Sequence, residues 1–132
     1  MPDSPADPAL SWTPDAATHL GRLARLTADA ASAGLDAVLV APGPDLRYLL
    51  GRDTGSHERL TALLVRPGRD PLVVVPTLER PGWAGTVAEA SGIEFVAWSD
   101  GEDPYAAVAA ALPRGARLAV DDQLPALHLL AL

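Results

Sequence analysis

The run Ala37-Val-Leu-Val-Ala41 is apolar at every position, yet it is only five residues long and lies between Asp36 and Pro42. It is too short for a stable helix and lacks the polar alternation of a strand with one wet face. A run of this kind must be covered on both sides, which is the condition of a strand in a sheet flanked by helices. The rest of the chain supplies partners of both types. Strands are predicted at about 60–66 and 72–76, on either side of Pro67-Gly-Arg-Asp-Pro71, whose turn chemistry predicts a hairpin. Two further strands are predicted at Ile93–Trp98 and Arg117–Asp121.

Helical spacing fills the intervals. Ala16, Ala17, Leu20, Leu23, Ala24, Thr27, Ala30 and Ala31 recur on one face, Thr13-Pro14 reads as an N-cap with proline at the first helical position, and Gly34 supplies the stop. That predicts a helix over about 14–33. Asp45 is expected to cap a short helix through Leu50, closed by Gly51. A weaker helical stretch begins at Thr77, breaks at Pro81-Gly82, resumes over Thr86–Ala90 and closes at Gly92. Asp103-Pro104 opens a helix through Leu112, and Leu124–Leu132 starts a last one. The order α β α β β α β α β α implies an α/β fold, with a mixed, mostly parallel sheet, an antiparallel hairpin and helices on both faces. Residues 1–12, with three prolines and no hydrophobic period, are expected to form a flexible arm before one domain over 13–132. The last helix is apolar all round (Leu124, Leu127, Leu129, Leu130, Leu132), so it is expected to pack against something, and the chain reads as a fragment.

Composition narrows the chemistry. A net charge of −7 is the wrong sign for a nucleic-acid binder or an anionic membrane surface. The absence of cysteine removes thiol nucleophiles, disulfides and zinc-thiolate sites. No apolar run approaches the roughly 18 residues of a membrane span, and the start lacks the features of a signal peptide, so a cytoplasmic protein is expected. His19, His57 and His128 are far apart and fall in no metal-binding pattern, and the helical pair reads as structural. Asp121-Asp122 reads as a turn and cap. No serine sits in a nucleophile elbow. Ala41-Pro-Gly-Pro-Asp45 follows a strand and precedes a helix, but its prolines remove the N–H groups that a phosphate would need. No catalytic or metal-binding residue is therefore assigned. Residues 45–70 hold five arginines against four acids in an otherwise acidic chain. They form either a solvated edge or a patch for a small anion, arginine being suited to bidentate carboxylate contacts.

Gly34-Leu-Asp-Ala-Val-Leu-Val, Asp45-Leu-Arg-Tyr-Leu-Leu-Gly51, His57-Glu-Arg-Leu60 and Leu72-Val-Val-Val-Pro-Thr-Leu-Glu79 occur in an order and spacing that resemble the N-terminal domain of the creatinase, prolidase and aminopeptidase P family, nearest to bacterial Xaa-Pro dipeptidases. The resemblance covers about 14–132. It implies a two-domain hydrolase whose catalytic C-terminal domain, absent from this sequence, has a pita-bread fold. That domain would hold two divalent metals (manganese, cobalt or zinc) on two aspartates, a histidine and two glutamates. It further implies a homo-oligomer acting on proline-containing peptides, in which this domain lends a loop to a neighbouring subunit's pocket. Carried over by motif, His57 and Arg59 would meet the substrate carboxylate. Tyr48 and Gly51 would form a structural turn, with the tyrosine packing and the glycine reversing the chain. Glu79 would cap or pair with an arginine. Arg52 stands where many relatives carry an aromatic residue. The alternative is a stand-alone α/β module for a small anion or for dimerisation.

The chain alone is expected to leave Xaa-Pro peptides uncleaved with or without added manganese. Chelator-sensitive turnover by a preparation free of other peptidases is the contrary result.

Overall fold

A computed structural model describes residues 14–52 and 58–132. The expected arm over 1–12, Thr13 and His57 lie outside the described residues. Elements follow the predicted order: α1 (Ala16–Ser32), β1 (Ala37–Val40), α2 (Pro44–Leu50), β2 (Ala62–Val65), β3 (Leu72–Pro76), α3 (Val87–Ala90), β4 (Glu94–Trp98), α4 (Pro104–Ala110), β5 (Leu118–Val120) and α5 (Ala126–Ala131). A 3-10 turn at Arg80–Trp83 precedes α3.

The strands form one sheet in the order β4-β3-β2-β1-β5. The hairpin pairs β2 with β3 antiparallel, and β1 also runs antiparallel to β2, a second reversal that the sequence pattern does not announce. The outer pairs, β1–β5 and β3–β4, are parallel. These directions have one geometric result: β1, β3, β4 and β5 all end, and β2 begins, at the same rim of the sheet.

Both faces are covered, as the unbroken apolar runs require. On one, Val40, Leu63, Val65, Val73 and Val75 meet Leu23 of α1, three leucines of α2, Trp83 and Ala88. On the other, Leu39, Ala62, Leu64 and Val74 meet Val108 and Ala111 at α4 and Leu124 before α5. Alternate residues of each strand supply the two clusters, so a one-residue slip in register would exchange them.

Two N-caps differ from expectation. Asp15, not Thr13, caps α1: its side chain accepts from Thr18 N at 2.8 Å. Asp45 does not cap α2; Gly43 holds that position without a side-chain bond, and Asp45 lies in the first turn. Asp103 opens α4 as predicted, accepting from Tyr105 N and Ala106 N.

The buried polar groups tie layers together. His19 Nδ1 bonds the Tyr48 carbonyl at 3.0 Å, joining α1 to α2, and His128 Nδ1 meets the Tyr105 hydroxyl at 2.8 Å, joining α5 to α4. Arg66, nearly fully buried, donates to the Asp70 and Ala111 carbonyls and so fixes the hairpin on the end of α4. At the rim, Asp121 Oδ2 accepts from Ala41 N at 3.1 Å and Asp121 N donates to the Leu39 carbonyl, clasping the ends of β5 and β1. Its Oδ1 is buried without a partner. Burial, with Asp45 and Asp122 nearby, raises the Asp121 pKa above the ordinary aspartate value.

Gly51 closes α2 at φ 73°, and a Cβ there would lie 3.2 Å from His19 Nε2. Gly51→Ala is expected to lower stability by more than the about 1–2 kcal/mol of the left-handed backbone alone. Gly68→Ala, at φ 76° with open space around it, reports that backbone cost by itself. Equal losses in denaturant titrations would mean that the His19 contact contributes nothing. For Asp121, a raised folded-state pKa means that the folded chain holds the proton more tightly than the unfolded one. Stability therefore falls as pH rises from the ordinary aspartate value through the raised one, then levels. Asp121→Asn removes this fall. The difference in melting temperature, variant minus parent, should be more positive at pH 7 than at pH 3.5.

Candidate functional site

The shared rim is where this architecture concentrates function, because ligands of open α/β sheets bind outside the carboxyl ends of the strands. Arg59 lies there, just before β2. Its Nη2 donates to Asp100 Oδ2 at 2.9 Å, with side chains 37% and 70% exposed. Glu79 comes to the same rim from the end of β3. It stands at the N-cap of the 3-10 turn without a side-chain cap bond, and its Oε2 accepts from the Thr61 hydroxyl at 3.2 Å rather than pairing with an arginine. Between them Thr77 Oγ1 donates to the Trp98 carbonyl and lies 3.0 Å from Ser99 Oγ, while Trp98 Nε1 donates to the Leu60 carbonyl. These bonds bind the ends of β3 and β4 to the start of β2.

Tyr48 and Gly51 are held elsewhere, against α1. The tyrosine ring is about half exposed and lies under the Arg22 guanidinium, 4.1 Å from its centroid, so the ring is not a core residue. Its carbonyl carries the structural load, accepting from both His19 and Arg22. Arg52 lies over the buried Trp83 ring at 5.3 Å, which keeps a flat, stacking group where relatives are expected to have an aromatic residue.

The five arginines of 45–70 do not make one anion patch. Arg59 and Arg66 sit at opposite ends of β2, and Arg66 and Arg69 both donate to the Ala111 carbonyl. Asp100, Trp98, Thr77 and Ser99 are the rim residues that the sequence does not single out. Ser99-Asp-Gly-Glu102 reads as an ordinary turn, and only the parallel pairing of β3 and β4 carries it to Arg59. Among the described residues, no group of three or more His, Asp or Glu is placed to hold a metal ion. No described helix is long and apolar enough to cross a membrane.

Known proteins share this sequence and fold. Residues 22–132 match the model of the Creatinase/Prolidase N-terminal domain. The chain is 42% identical over 120 residues to "Probable dipeptidase PepE" of Mycobacterium tuberculosis, covering 89% of this chain and 32% of that protein. Its fold matches the crystal structure of dipeptidase PepE from Mycobacterium ulcerans with a TM-score of 0.87 at 41% identity, over 91% of this chain and 33% of that one. A recombinant prolidase from Thermococcus sibiricus matches with a TM-score of 0.74 at 28% identity, over 91% of this chain and 32% of that one. The chain thus spans about a third of the length of the curated relatives it matches. By sequence and by fold, it belongs to the creatinase/prolidase N-terminal domain family.

Proposed function

We propose that this chain is the non-catalytic domain of a metal-dependent Xaa-Pro peptidase, dipeptidase in kind. The observation that carries the reading is the match to one third of dipeptidase relatives by a domain whose described residues hold no metal donor set. Manganese, cobalt or zinc would then be bound in the remaining two thirds, where hydrolysis would occur. This domain would serve a homo-oligomer. The exposed Leu127, Leu129, Leu130 and Leu132 along and beyond α5 supply apolar surface for packing against the rest of such an assembly.

Its contribution to the reaction would be Arg59, with His57 two residues before it, reaching the C-terminal carboxylate of a proline-containing peptide in a neighbouring subunit's pocket. A guanidinium at the rim has the fork geometry for that contact. The pair with Asp100 is exposed enough to give way, since such surface pairs contribute at most about 1 kcal/mol.

The experiment is a chimera in which this chain replaces the matching third of the M. tuberculosis dipeptidase. A charge-assisted carboxylate contact is worth about 1.5–3 kcal/mol. Arg59→Ala should therefore lower kcat/KM for a Xaa-Pro dipeptide roughly 10–150-fold. The C-terminal amide of the same peptide should lose little, and Arg59→Lys should restore little. Equal effects on acid and amide, or none on either, would show that Arg59 does not read the carboxylate.

A further inference from the structure

At the rim, Arg59 and Asp100 border a cleft of about 320 Å³. That volume is at the small end for ligand sites and suits a molecule of few atoms. Its polar groups are sorted by type. Arg59 supplies donors. Asp100 supplies a carboxylate that is largely in solvent. Because the Thr77 hydroxyl donates to the Trp98 carbonyl, the 3.0 Å contact between the two hydroxyls is donated by Ser99, which leaves the Ser99 oxygen as an acceptor. The remaining walls are carbon. Trp98 commits its N–H to the Leu60 carbonyl and offers its ring, and Leu78 is 76% exposed at the mouth.

We propose that this cleft binds a free α-amino acid with an apolar side chain. Its carboxylate meets Arg59, its ammonium lies between Asp100 and Ser99 Oγ, and its side chain rests on Trp98 and Leu78. An α-amino acid carries both charges on one carbon, so a contact pair of opposite charges accommodates both at once. The two ends of a dipeptide are separated by a further residue, about 3.3–3.6 Å of chain, and do not match the pair. The ligand is of the class that hydrolysis of a Xaa-Pro peptide releases. The proposal rests on the reading of Arg59 as a carboxylate-binding group and extends it from substrate to product.

The test uses the 132-residue chain itself. L-Leucine and L-proline are titrated while NMR follows the Ser99 and Asp100 amides and the Trp98 indole N–H. Saturable shifts centred on these signals are expected. N-acetyl-L-leucine, which lacks the ammonium, and L-leucinamide, which lacks the carboxylate, should bind at least tenfold more weakly, as should the dipeptide Gly-Leu. Arg59→Ala and Asp100→Asn should each weaken leucine binding at least tenfold, with spectral dispersion confirming that each variant is folded. Blocked forms that bind as well as leucine, shifts centred elsewhere, or no saturable shift up to the solubility of the amino acids would each overturn the proposal. The chimera kinetics are separate: loss of carboxylate reading there with leucine silent here keeps the peptidase reading and discards the amino-acid site.

Discussion

The reversal of β2 against both of its neighbours sets the geography of the molecule. Hydrogen bonding to β1 on one side and β3 on the other, in opposite chain direction to each, turns the remaining strands so that all of them end at one rim. Arg59 just before β2, the turn after β3 and the turn after β4 therefore meet although they are far apart in the chain. Without that reversal, Arg59 would lie at the opposite end of the sheet from the turns after β3 and β4.

The polar groups follow a consistent division of labour. Those that are buried hold one layer to another: His19 joins α1 to α2, His128 joins α5 to α4, and Arg66 joins the hairpin to α4. Each bonds a carbonyl or hydroxyl of the neighbouring element, which an apolar side chain could not do, so these are structural sites despite their residue types. Two half-buried arginines also lie over aromatic rings. Arg22 lies over Tyr48, and Arg80 lies over Phe95 while bonding Glu89.

Much of this fold was legible in the sequence, because local signals are strong here. Gly34, Gly51, Gly92 and the Pro67–Pro71 turn mark boundaries, and the unbroken Ala37–Ala41 run announces a strand with two covered faces. What escaped is non-local. The sequence pattern points to Thr13 as the first cap, whereas helix geometry puts Asp15 there. The antiparallel pairing of β1 with β2 leaves no trace in either strand, since both are apolar throughout. For the site, the motif resemblance placed Arg59 and Glu79 but not their partners. Asp100 is 41 residues from Arg59, and Thr61 is 18 from Glu79; no spacing rule connects residues joined by sheet order alone.

The sheet order also leaves β4 and β5 as its two margins, and they are not equivalent. β5 is three residues long, too little for a second molecule to grip, whereas β4 offers five residues, Glu94-Phe-Val-Ala-Trp98, with one side of its backbone unpaired by any described strand. Laid antiparallel on a copy of itself about Val96, that margin would place Glu94 opposite Trp98 and Phe95 opposite Ala97, with no like charges in register. What opposes such growth is the general acidity of the chain rather than any local guard. Acidification to the isoelectric point, about 4.7, would remove this protection while leaving the backbone template intact. At that point the free edge of β4 is the backbone template the described sheet leaves open to a second molecule.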